Sequence, residues 1–170
     1  MFIRISVACI LLLMVLCVPV LAKQNIYLNP DAPKYVNKKY GFSFSLPPGQ
    51  WNAKQSKDGT EIIIHDGAEG DTEYTLIHAY AQQMPTDDLK KILAEEAKGY
   101  KTIIEEEVLN DRKEIRIRAI SVNDRLTFIR YMLKNSLANV LIVQTPADQQ
   151  YAFDYTVKEV NGSFTPGYGK

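Results

Sequence analysis

Between residues 40 and 46 the chain alternates, with Phe42, Phe44 and Leu46 apolar and Ser43 and Ser45 polar. That period of two predicts a half-buried strand, Tyr40 to Leu46, stopped by Pro47-Pro48-Gly49 and followed by Trp51. Asp58-Gly59 is a turn signal ahead of a strand from Thr60 to His65, with Ile62 and Ile64 on one face. After the polar residues 67–71 a further strand runs from Thr72 to Ala81. Tyr74, Leu76, His78 and Tyr80 share one of its faces, and Thr75, Ile77 and Ala79 the other.

The period then lengthens. Leu89, Ile92, Leu93, Ala97 and Tyr100 form one apolar stripe at helical spacing. Thr86 is the expected cap, Asp87 and Asp88 sit in the first turn, and Gly99 is the expected terminator. Alternation returns in four strands, Thr102 to Leu109, Glu114 to Val122, Leu126 to Lys134 and Asn139 to Thr145. Asn110-Asp111 and Asn123-Asp124 mark hairpins between the first three. A last helix is expected to start with Thr145 as cap and Pro146 at its first position, and to bury Phe153, Val157, Val160 and Phe164. Strands in runs with two segregated helices predict an α+β fold, a largely antiparallel sheet of about six to seven strands flanked by two main helices.

The N-terminus changes the composition. Arg4, the apolar run Ile5 to Leu16, Pro19 and the ending Val20-Leu21-Ala22 have the form of a secretory signal peptide cut after Ala22. Both cysteines, Cys9 and Cys17, fall inside that leader. A lipid anchor at Cys17 is not expected, because Leu16 stands where a small residue normally precedes a lipidated cysteine. The mature domain therefore has no disulfide, thiolate or cysteine-ligated metal chemistry. Residues 23–37, polar and interrupted by Pro30 and Pro33, read as a linker or arm. Residues 38–166 read as a single domain and 167–170 as a tail. The whole chain holds 20 Lys+Arg against 20 Asp+Glu. Such a balance argues against a nucleic-acid binder. The expected location is periplasmic or extracellular, without stable membrane insertion after cleavage.

The run Tyr40-Gly41-Phe42-Ser43-Phe44-Ser45-Leu46-Pro47, with Gly49 and Trp51 close behind, resembles the opening of PsbP/Mog1-like domains. The order of elements is similar as well, down to the closing Ser163-Phe164 pair, and the resemblance spans residues 35–164. Gln50, between Gly49 and Trp51, departs from the family's Pro-x-Gly-Trp turn. The resemblance implies the same α+β fold and an accessory role rather than an enzymatic one. Its relatives include a photosystem oxygen-evolving subunit, a Ran-binding nuclear import factor and exported bacterial envelope proteins. It transfers no site residues, since Phe42, Phe44 and Trp51 read as core and turn packing.

Catalytic templates are absent: no Gly-x-Ser-x-Gly, no His-Glu-x-x-His and no phosphate-binding glycine loop. A hydrolase would have to recruit His65 or His78 as base, and nothing local supports either. No cofactor is expected. The alternative is a divalent metal ion held by His65, Asp66, Glu69, Asp71 and His78, a donor set suited to Mn²⁺, Ca²⁺ or, with imidazole, a transition metal. The same residues also make an ordinary solvated hairpin loop. Every arginine after Arg4 lies between Arg112 and Arg130. Arg116, Arg118 and Arg130 are the candidate contact surface for an envelope protein partner, since guanidinium groups on a rigid sheet suit carboxylate or phosphate. The competing expectation is a ladder to Glu105, Glu106 and Glu107 on the preceding strand. Tyr151 and Tyr155, one helical turn apart, fit either a partner surface or helix-to-sheet packing.

Overall fold

The computed structural model describes residues 23–67 and 73–169, which hold ten strands and two α-helices. The leader 1–22, with Cys17, lies outside the described residues, as do Glu69 and Asp71.

The strands are β1 (Lys23–Ile26), β2 (Lys34–Val36), β3 (Ser43–Ser45), β4 (Asn52–Ser56), β5 (Glu61–His65), β6 (Leu76–Gln83), β7 (Tyr100–Leu109), β8 (Glu114–Ser121), β9 (Arg125–Lys134) and β10 (Leu137–Pro146). Helix α1 is Leu89–Ala97, and α2 is Gln150–Ser163. Eight strands form one antiparallel sheet in the order β1-β4-β5-β6-β10-β9-β8-β7, while β2 and β3 pair separately. The α+β architecture is the one the periodicity predicts, with a sheet one strand wider than expected.

Each face of the sheet carries its own core. Helix α2 and the β2–β3 hairpin cover one face, burying Phe42, Phe44, Phe153 and Phe164 with Ile62, Ile64, Ile77 and Leu141. Tyr35, Phe42, Phe44 and Phe164 pack as tilted rings with centroids 5.6–6.3 Å apart. On the other face α1 lays Leu89 and Ile92 over Ile115, Ile117, Ile129 and Val140. The first core explains why alternation on β3, β5 and β6 is so clean, since one side of each strand faces Phe-rich packing.

Four expectations need correction. Residues 23–37 are not a linker: β1 pairs with β4, β2 pairs with β3, and Leu28, Tyr35 and Asn37 are buried. The Asn37 amide gives these residues a polar anchor, donating to Gly59 O at 2.8 Å and accepting from Tyr40 N at 2.7 Å. The first helix is capped by Asp88, which accepts from Lys90 N and Lys91 N, while Thr86 Oγ1 accepts only from Asp88 N. Thr145 and Pro146 do not start the last helix. They finish β10, pairing with Leu126 and Arg125, and the helix begins at Gln150. The 9-residue helix α1 also ends before Tyr100, which opens β7.

The C-terminal segment belongs to the domain as well. Ser43 and Thr165 bridge in antiparallel fashion, Gly167 N donates to Asn139 Oδ1 at 3.2 Å, and Gly169 N donates to Tyr40 O at 2.9 Å. Gly167 lies so close to the 40–42 turn that a Cβ on it would overlap Gly41 C, Phe42 N and Tyr40 O.

Candidate functional site

The strand register sets the arginines out as their spacing suggests. Glu105 stands across from Arg118, Glu107 across from Arg116, and Arg116 across from Arg130. Strand parity puts Glu114, Arg116 and Arg118 on one face of β8. That face is partly covered by α2, which packs over the neighbouring β9 and β10.

Arg130 is consequently buried, at 9% exposure, and Glu114 is at 0%. Their pair is bidentate, Nε to Oε1 at 2.9 Å and Nη2 to Oε2 at 3.1 Å. Arg116 Nε reaches the same Oε1 at 2.5 Å and its Nη1 reaches Glu107 at 3.3 Å. Arg130 Nη1 also donates to Asn161 O and Asn161 Oδ1, near the C-terminal end of α2 where carbonyls favour a cation. Arg118 Nη2 turns to Asp154 of α2 at 2.5 Å instead of to Glu105, with its guanidinium 5.4 Å from the Phe153 ring centre.

The expected contact surface is therefore corrected at Arg130. Arg130 is an internal clamp, and Arg116 and Arg118 keep about a third of their side chains exposed at its rim. The expected glutamate ladder forms at Glu107–Arg116 alone. Glu114 and Asn161 were the residues to add. Glu114 could have been found from its parity with Arg116 and Arg118, whereas nothing short of the helix position points to Asn161.

The metal candidates do not converge among the described residues. The hairpin register sets His65 across from Leu76 and His78 across from Ile63. His65 Nδ1 lies 2.9 Å from Gly67 O and its ring packs on Tyr74. Asp66 Oδ1 accepts from Thr75 N at 2.7 Å. His78 Nε2 lies 3.2 Å from Glu61 Oε1, and its ring stacks on Tyr80 at 4.7 Å. No group of three metal-ligating side chains is present among the described residues.

A second polar cluster fixes α1. Glu96 accepts from Tyr131 Oη at 2.5 Å and from Tyr100 Oη at 2.9 Å. Burial raises the hydroxyl pKa of both tyrosines far above the ordinary range. The Glu96 charge and its hydrogen bonds push in the same direction. Tyr80, beside Tyr131, is raised by burial too. Both phenols are held neutral in the fold, so unfolding above their ordinary value of 10.0 releases protons. Their stabilisation is complete below pH 10 and is lost as pH rises beyond it. The denaturation midpoint should fall steeply above about pH 10, and a Tyr100→Phe/Tyr131→Phe variant should fall less steeply. Parallel curves for the two proteins would refute that assignment.

Two clefts remain. One, about 590 Å³, lies at the end of the sheet between Tyr74, Asp124, Arg125 and Asp148, where the Arg125 guanidinium donates to Tyr74 O. The other, about 1000 Å³, runs beside β1 and is lined by Tyr27, Trp51, Lys54 and His65. Trp51 is oriented by its Nε1–H donating to Pro47 O at 2.9 Å. Among the described residues neither cleft places a nucleophile against a base.

Large apolar groups are exposed elsewhere. Tyr151 and Tyr155 of α2 are 87% and 44% exposed, and Ile104 of β7 is 54% exposed. Asp154, the partner of Arg118, lies between the two tyrosines in the helix sequence. No helix among the described residues is long and apolar enough to cross a membrane.

No family model and no curated protein matches the chain. Among solved structures it is similar to cyanobacterial PsbP from Synechocystis sp. PCC 6803, a solution structure, with TM-score 0.54 and 15% sequence identity. The match covers 81% of this chain and 94% of that one. The fold is thus PsbP-like, in agreement with the Tyr40 to Trp51 motif.

Proposed function

We propose that this chain is an exported accessory protein, without catalytic activity, that engages a protein partner in the cell envelope. The leader-like residues 1–22 support export. The PsbP-like fold supports an accessory role through the relatives that the sequence motif implies. The observation that carries the reading is the exposed flank of α2 that presents Tyr151 and Tyr155. Tyrosine is enriched at protein interfaces and among their hot spots. By contrast, the groups able to do acid–base or electrostatic chemistry are spent on structure: Glu114 on Arg130, Glu96 on two tyrosines, His78 on Glu61.

Crosslinking in intact cells expressing the full precursor tests the reading. Wild type should yield one dominant partner adduct, and Tyr151→Ala/Tyr155→Ala should reduce it about tenfold, the loss typical of interface hot spots. Equal adduct yield from the variant, with both proteins folded, would overturn the assignment of this flank.

A further inference from the structure

Strand β7 ends the sheet order and pairs on one side only, with β8. It is 10 residues long, against 4 for β1 at the opposite edge. An edge of that length presents a row of backbone N–H and C=O groups able to accept another strand. Lys101, Thr102, Ile104, Glu105, Glu106 and Glu107 along it are all exposed. Glu107 has Arg116, whereas Glu105 and Glu106 make no ion pair among the described residues. Arg118, across from Glu105, is already taken by Asp154.

We infer that the outer edge of β7 is the docking strand for an extended, lysine- or arginine-bearing segment of the protein partner. Three features select that occupant. The carboxylates of Glu105 and Glu106 are complementary to cations, and cross-strand opposite charges are favourable. Ile104 to Glu107 are exposed throughout, leaving this stretch accessible to an extended segment. A second copy of this chain is disfavoured. Antiparallel β7–β7 pairing centred on Glu106 would set Glu105 against Glu107 of the other copy, and like charges directly opposite are destabilising. The irregularity between Ile103 and Glu105 limits the added strand to the stretch beyond it. Binding is by strand addition, with main-chain hydrogen bonds for affinity and the glutamates for selectivity.

The inference rests on the reading of the domain as a partner-binding module, and its test is independent of the crosslinking. A short synthetic peptide of alternating lysine and valine is titrated into the purified chain, followed by amide chemical shifts and hydrogen exchange. A peptide of alternating glutamate and valine is the comparison. The lysine peptide should bind saturably, protect amides of residues 105–109, and weaken as salt is raised. Glu105→Gln/Glu106→Gln should weaken it about tenfold, the loss expected for two screened charge pairs. Equal binding of the glutamate peptide, protection elsewhere, or unchanged binding by the variant would overturn the inference. So would a variant that self-associates while wild type binds no lysine peptide, since the glutamates would then only guard the edge. Crosslinking that fails while the peptide binds would remove the envelope-partner reading and leave the edge site standing.

Discussion

Replacing Glu114 by alanine should cost about 3–5 kcal/mol of unfolding free energy, the loss expected when one partner of a buried ion pair is removed. The carboxylate is fully buried and is shared by two guanidinium groups, Arg130 in two hydrogen bonds and Arg116 in one. Without it, Arg130 is left as an uncompensated cation beneath α2, with Asn161 as its remaining partner. Arg116 suffers less, because it retains Glu107 and reaches solvent. A control separates burial of an orphaned charge from loss of the pair itself. Glu114→Met/Arg130→Met removes both charges, and well-packed apolar replacements of buried pairs are often neutral. The double variant should therefore be more stable than Glu114→Ala. Urea midpoints of the three proteins decide it, and a double variant at least as unstable as the single would mean the pair itself holds the helix.

The second large effect is expected from a single methyl group. Gly167→Ala should lower stability by about 3 kcal/mol, at the upper end of overpacking costs. The three atoms that its Cβ would overlap are all backbone, in residues 40–42, so no side chain can swing aside. The segment after Phe164 would have to lift away. It would give up the hydrogen bonds to Asn139 and Tyr40 and leave Tyr168 unpacked from the aromatic core. Hydrogen exchange should then show loss of protection at Ser43 and Gly169 before the main sheet opens. A Gly167→Ala protein with wild-type midpoint and unchanged protection would refute the close approach.

Strands β7, β8 and β9 were legible in sequence because Asn-Asp turns separate them and β8 carries an apolar row, Ile115, Ile117 and Ala119. Strands β1 and β4 were not, for a physical reason. Their sequences, Lys-Gln-Asn-Ile and Asn-Ala-Lys-Gln-Ser, bring little more than Ala53 to the core, so no alternation of hydrophobicity marks them. The start of α2 was misplaced because Thr145-Pro146 has the local chemistry of a helix cap, while the β9–β10 ladder claims both residues. Local preference lost to a ten-residue ladder. The arginine face shows the same limit at the site. Spacing gave the register with the glutamates, but burial depends on a helix whose docking position no pattern within β8 or β9 encodes. Its apolar stripe, Phe153, Val157 and Val160, foretold that α2 packs on a sheet without saying which strands lie beneath.

The closing of the first core joins the two ends of the chain. Ser45 N donates to Ser163 Oγ at 2.9 Å across 118 residues, and Phe42 and Phe44 meet Phe164. Contacts this distant in sequence are slow to form, since loop closure must precede them. A chain delivered N-terminus first can pair β4 with β5 and β5 with β6 early, but it cannot seal its aromatic core until the last few residues emerge. Such a topology lets folding finish only once the segment around Phe164 is in place, so a chain lacking that segment would leave the aromatic core open.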